Sequence, residues 1–215
     1  VKKLHPNQWA GIAGIGAGLL FFASAAVLPL NDFPASDAAP DAVAGFIKEH
    51  RGGVLAGIWM NSLGSVLLAV QISGLRERLG DAWSRLGMAA GLVSVAIFTT
   101  GFAGLIAAAY RVDTVSPEAV QLLADFAFAT FAISSIAVTV SLGFYAASIF
   151  ATRRLPAWLG WAGIIVAALH VIAATAYAGA HGALSLEGQW AQDVPPAIYL
   201  WSIAAGVAML RARDN

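Results

Sequence analysis

Long runs without a single charged residue alternate with short polar segments along this chain. Six runs stand out, at approximately Trp9–Leu30, Val54–Leu75, Leu86–Tyr110, Phe126–Ala151, Ala157–Ala180 and Pro196–Leu210. At about 1.5 Å per residue, these runs can cross the roughly 30 Å thickness of a bilayer's hydrocarbon layer. The last run has 15 residues, about 22 Å, so it needs local thinning of the bilayer or Arg211 reaching to the interface. The first run is too long for the apolar region of a signal peptide and reads as a retained first helix. The pattern predicts an all-α integral membrane protein, a single domain over residues 1–215 forming a bundle of six transmembrane helices.

The segments between the runs carry their own signals. Pro40 opens a short helix that closes near His50 before Gly52–Gly53, with Val43, Phe46 and Ile47 on one face. It reads as one short amphipathic outer helix, covering the bundle mouth, touching headgroups, or simply connecting its neighbours. Ser116-Pro117-Glu118 is a helix start, with Ser as N-cap and Pro at the first position. The fourth helix then runs on to Ala151, about 50 Å, and protrudes from the bilayer. Trp9, Trp83, Trp158 and Trp161 on one side, and Trp190 and Trp201 on the other, read as interfacial anchors. Gly14–Gly18, Gly53–Gly57 and Gly87–Gly91 are spaced for close helix approach. Trp9-Ala10-Gly11-Ile12 echoes Trp161-Ala162-Gly163-Ile164, but pairs the first helix with the fifth, so it does not establish an inverted repeat.

Composition agrees: the chain is 59% hydrophobic and 11% charged, with a mean hydropathy of +0.75, too apolar for a soluble domain. Charge adds orientation. The formal net charge is zero, yet the six-helix threading sorts nine of the twelve Lys and Arg to one side and nine of the twelve acids to the other. The basic side takes the cytoplasm, because cytoplasmic loops retain Lys and Arg. Both termini then face the cytoplasm, and the expected address is a bacterial cytoplasmic (inner) membrane. The absence of cysteine rules out disulfides, thiolate metal sites and iron–sulfur clusters. The basic residues are too scattered to make a nucleic-acid surface.

Candidate chemistry starts from polar groups inside the runs, since these are expensive in lipid. No Lys, Arg or Glu lies at mid-depth, which speaks against a charge-relay pump, a voltage sensor and a retinal Schiff base. His170 lies 13 residues into the fifth helix, near mid-membrane, and Tyr177 and His181 share its face. The three read as a polar groove open to ligand or proton, or as an imidazole bonded to a nearby Ser or Thr beneath two interfacial residues. Asn61 reads as an interhelical amide or a ligand contact, with Thr99 and Thr100 as potential partners for Asn61 or His170. Asp125 sits where water reaches the fourth helix and reads as a solvated or locally paired carboxylate. His50 and His181 are weak metal candidates at the outer mouth. No nucleophile constellation, phosphate loop or aspartate dyad is present, so no catalytic residue and no cofactor is assigned.

Several segments together carry a resemblance: the Gly-rich first helix, Glu49-His50-Arg51-Gly52, Leu75-Arg76-Glu77-Arg78-Leu79, and Arg154-Leu155-Pro156-Ala157-Trp158-Leu159-Gly160-Trp161. In this order of segments the chain resembles the bacterial six-helix membrane proteins grouped as "domain of unknown function 4386" and their actinobacterial relatives. The resemblance implies the topology and transfers no functional residue, because that family has no established activity. Two functions are carried forward. The first is a non-enzymatic membrane protein, either an accessory subunit or a module binding a lipid or small apolar molecule within the bundle. The second is a small transporter or channel using the polar path along helix five. A haem- or metal-binding protein is a weaker third. Expected partners are membrane lipids, another membrane protein or a second copy of the chain, and no nucleic acid.

Overall fold

The computed structural model describes residues 5–28, 32–35, 37–175, 194 and 196–212. Among these the chain is all helical, with seven helices: α1 Pro6–Val27, α2 Pro40–Glu49, α3 Arg51–Leu79, α4 Ala82–Arg111, α5 Pro117–Thr152, α6 Ala157–Ala174 and α7 Pro196–Arg211. Five of them (α1, α3, α4, α5 and α6) are long and apolar enough to cross a membrane, and α7 is a shorter apolar helix of 16 residues. Such helices suit a multi-pass membrane protein. Their outward faces agree: Trp59, Val66, Leu122, Ile165 and Leu200 are each at least 60% exposed, an apolar surface that water would not tolerate over so large an area.

The helix ends follow local chemistry. Pro6 starts α1 under a capping box, in which His5 N–H donates to Gln8 Oε1 at 3.0 Å and the His5 ring accepts from the Asn7 N–H. α3 stops at Gly80, whose φ of 75° is the left-handed cap conformation that glycine adopts without strain. Asp81 then caps α4 by accepting the Ser84 N–H at 2.9 Å. Pro117 stands at the start of α5, as expected, and the helix runs unbroken for 36 residues, about 54 Å. Ser116 is the N-cap by position, but its side chain makes no capping bond to the helix backbone. At the far end Arg153 takes the left-handed cap conformation, with φ of 54°.

Close helix contacts fix the arrangement as a ring. α1 runs antiparallel to α3, with Gly57 against Leu28, Gly64 against Phe21 and Gly74 against Ala10. It also runs antiparallel to α7, where Gly11 faces Gly206 and Gly18 faces Tyr199. α4 lies against α3 and α5, α5 against α6, and α6 against α7, closing the circle. The glycine spacing seen in the sequence marks these contacts: a Cβ at Gly18 would stand 2.8 Å from the Tyr199 carbonyl, and one at Gly87 3.2 Å from the Tyr145 ring. Among the described residues, one end of the ring gathers Arg76, Arg78, Arg85, Arg153, Arg154 and Arg211 with Glu77 and Asp81, whereas the other gathers Asp32, Asp37, Asp41, Glu49, Asp113 and Glu118 with Lys48, Arg51 and Arg111. The remaining members of the sorting, among them Lys2, Lys3, Glu187 and Asp193, lie outside the described residues.

One expectation needs correcting, and the open readings of α2 are narrowed. Trp201, read as an interfacial anchor, is buried; its indole Nε1–H donates to the Leu159 carbonyl at 3.1 Å and its ring packs beside Tyr145. Trp201 stands on the face of α7 turned to α5 and α6, whereas Leu200, one position earlier, faces outward, so the indole is taken into the bundle. The Trp9, Trp83, Trp158 and Trp161 side chains are exposed at the basic end, in keeping with the anchor reading. For α2, contact with headgroups is excluded at two of its apolar positions. Val43 and Ile47 are buried against α3, α4 and α5, with Phe46 packed alongside. The protruding first turns of α5 supply part of that seat through Val120 and Ala124.

Candidate functional site

The ring does not close on solid packing. Between its helices lies a cavity of about 180 Å³. One apolar cluster, including Leu75, Leu79, Ile149, Leu155, Leu159 and Met209, fills the bundle below it at the basic end. A second, in which Val43 and Ile47 of α2 meet Ile58, Phe102, Leu105 and Phe128, lies beyond it towards the acidic end. Tyr145, Leu142 and Trp201 make the floor of the chamber. The floor is pinned by the Tyr145 hydroxyl, which donates to the Ile72 carbonyl at 2.8 Å.

Aromatic rings form one continuous wall. Tyr199 stacks on Phe21 with centroids 4.6 Å apart, Phe21 meets Phe98 edge-on at 6.4 Å, and Phe98 lies 5.0 Å from Phe131 and 4.7 Å from Phe102. Phe128 continues the row towards Phe33. Sequence reasoning missed this wall. A signal was available: Phe98 and Phe102 stand four apart, and Phe128 and Phe131 three apart, so each pair shares a helix face.

Most polar side chains on the lining are already engaged. Asn61 Nδ2 donates to Ser24 Oγ, and Ser24 Oγ donates to the Gly57 carbonyl at 3.1 Å, so Asn61 joins α1 to α3. Ser65 donates to the Asn61 carbonyl, Ser134 to the Phe131 carbonyl and Ser141 to the Gly87 carbonyl, all at 2.7–2.8 Å. His170 differs. Only 2% exposed, it lines the chamber with Nδ1 3.2 Å from Ser135 Oγ, while Nε2 is buried without a hydrogen-bond partner among the described residues.

The structure therefore brings His170 and Asn61 to one chamber. It does not bring Thr99 or Thr100 to either of them: both hydroxyls donate to carbonyls of their own helix, Thr99 to Val95 and Ala96, and Thr100 to Ala96. Asp125 is partly buried on α5 and is absent from the chamber lining. His50 stacks on Phe46 at 4.3 Å, with Nδ1 3.0 Å from the Phe46 carbonyl. No group of three metal-ligating side chains occurs among the described residues. Tyr177 and His181 lie outside the described residues, as does the pairing of His50 with His181.

No family model, curated protein or solved structure matches this chain. What the chamber can do is therefore read from its own chemistry. Among the described residues it offers a wall of edge-on and tilted aromatic rings, aliphatic surfaces, no ionised side chain and one buried nitrogen without a partner.

Outside the helical core, two clamps hold the ends. At the acidic end Lys48 and Arg51 grip Asp113 at 2.9 and 3.1 Å, and Arg51 also donates to the Tyr110 carbonyl at 3.2 Å. The hydrogen bond and charge of Lys48, then the charge of Arg51, hold the Asp113 carboxyl below the usual aspartate range. At the basic end Arg154 Nη1 donates to the Arg78 and Leu79 carbonyls, both at 3.2 Å, capping α3 with the turn that joins α5 to α6. There Asp81 accepts the Ser148 hydroxyl at 2.6 Å. Partial burial raises its carboxyl, but the bonds from Ser148 and Ser84 outweigh that and leave it below its ordinary value.

Proposed function

We propose that this chain crosses a bacterial cytoplasmic membrane six times, with its basic end and both termini inside, and holds a small apolar molecule in the chamber between its helices. The observation that carries this reading is the chamber itself: walled by Phe21, Phe98, Phe102, Phe128 and Phe131, lined by no ionised side chain among the described residues, and flanked at both ends by apolar clusters. A protein interior is normally filled to the density of an organic crystal, so a space of this size is costly unless something occupies it. An apolar cavity of roughly 150 Å³ stays dry and takes up benzene. The chamber at about 180 Å³ therefore suits a one- or two-ring molecule or a short stretch of acyl chain. An accessory subunit built around a bound lipid fits the same features. The transporter reading draws less support, because packed side chains from Leu75 to Met209 block the route from the chamber to the basic end. The resemblance to the six-helix family bears on topology and lends no residue a role.

Native mass spectrometry of protein released gently from its own membrane tests the reading. The expected result is a population carrying one additional small mass. Ala132→Phe, which places a ring inside the chamber wall, removes that mass; Gly143→Ala, whose Cβ meets nothing within 4 Å, keeps it. Bare protein throughout, or an added mass indifferent to Ala132→Phe, contradicts the proposal.

A further inference from the structure

We infer that the chamber's ligand is an uncharged, ring-bearing molecule with one hydroxyl group, and that this hydroxyl bonds His170 Nε2. The inference rests on the reading of the chamber as a binding site and adds the class of molecule and its point of attachment.

Three observations meet at this site. The first is the unpartnered nitrogen. Buried polar atoms without partners are rare in native structures, and each costs free energy that a bound group can recover. His170 lines the chamber, and its Nε2 is buried with no partner among the described residues. The second is the state of its neighbours. The Asn61 amide and the Ser134 and Ser141 hydroxyls each donate within the protein, whereas Nε2 makes no bond to the described residues. A ligand hydroxyl can meet Nε2 while its carbon frame fills the apolar remainder of the chamber, which a lone water cannot do. The third is the aromatic wall from Tyr199 through Phe21 and Phe98 to Phe131, which favours stacked or edge-on rings over a flexible chain.

The chemistry narrows further. Among the described residues no Asp, Glu, Lys or Arg lines the chamber, so a carboxylate, phosphate or ammonium would find no counter-ion among them, and an uncharged ligand fits the lining better. If Nδ1–H donates to Ser135 Oγ, Nε2 presents a lone pair; if the Ser135 hydroxyl donates instead, Nε2 presents its N–H. A hydroxyl can serve either tautomer, because it both donates and accepts. A ketone or ether serves only one.

Purified protein in nanodiscs, titrated separately with 1-naphthol and naphthalene, tests this once uptake by protein-free nanodiscs is subtracted. The two probes share one ring system and differ by the hydroxyl alone. The expected result is saturable binding of both, with 1-naphthol preferred by about threefold to tenfold, the range of one neutral hydrogen bond. His170→Phe should keep naphthalene binding and bring the preference to about one, whereas His170→Gln, which retains polar atoms, should restore part of it. Equal affinities in the native protein, or a preference that survives His170→Phe and His170→Gln unchanged, overturn the assignment to His170 and leave the chamber reading standing. Saturable binding of neither probe overturns both.

Discussion

Gly14 has no side chain because the Gln71 amide occupies the place a Cβ would take. Gln71 is fully buried; its Nε2 donates to the Ser202 carbonyl at 2.7 Å, and its Oε1 lies 2.5 Å from Ser202 Oγ, which also reaches the Gly14 carbonyl at 3.0 Å. One amide thus holds α1, α3 and α7 together where no water can replace it. Gly14→Ala gains up to about 1 kcal/mol of helix propensity but overpacks this contact, at a cost of about 1–3 kcal/mol. The expected net effect is a lower melting temperature in detergent, while Gly143→Ala, open on its outer face, leaves it unchanged or higher. At this scale the sequence was half legible. His170 and Asn61 stood out because polar groups are conspicuous in apolar runs. Thr99 stood out for the same reason but bonds its own helix, a choice that composition does not reveal. The aromatic wall and the burial of Trp201 depend on which helices are neighbours, and no single run of residues carries that information.

At the scale of elements, α2 is the piece whose role the sequence left most open. Its apolar face was visible from Val43, Phe46 and Ile47, but its target was not, because the seat is assembled from three other helices. The extension of α5 looked like a protrusion from the starting Ser116-Pro117; its purpose in supporting α2 required the contact itself. α2 is also tied through Lys48 to Asp113, an exposed ion pair. Because the Asp113 carboxyl is held below its ordinary value, the clamp is complete above the ordinary aspartate value, about 4. It is lost as pH falls through the depressed one. Hydrogen exchange of the α2 amides should therefore quicken in acid and at high salt, and Asp113→Asn should bring the same modest loosening at neutral pH. Ile47→Asp, which buries an unpaired carboxylate in that seat, is expected to detach α2 altogether, seen as proteolytic cleavage at Lys48 or Arg51. Unchanged protection in Ile47→Asp would show that α2 owes its place to something other than this packing.

For the whole molecule, the arrangement of charge was the most legible feature of all. It needs only the order of runs and the identity of the connecting residues, and both are printed in the sequence. The ring of helices and its central chamber were not legible, since a chamber exists only where six surfaces fail to fill a space together. Both the address and the chamber's apolar chemistry depend on the bundle standing across a bilayer with its basic end inward. The chain contains no cysteine, so single cysteines can be introduced without a background. Residues 113 and 153 are suitable sites, exposed at opposite ends of the bundle. The direct measurement is labelling of Asp113→Cys and Arg153→Cys in intact bacterial cells with a membrane-impermeant maleimide. The account expects Asp113→Cys to react at once and Arg153→Cys to react only after the membrane is opened. Reaction of Arg153→Cys in intact cells, or equal reaction of both, would contradict it.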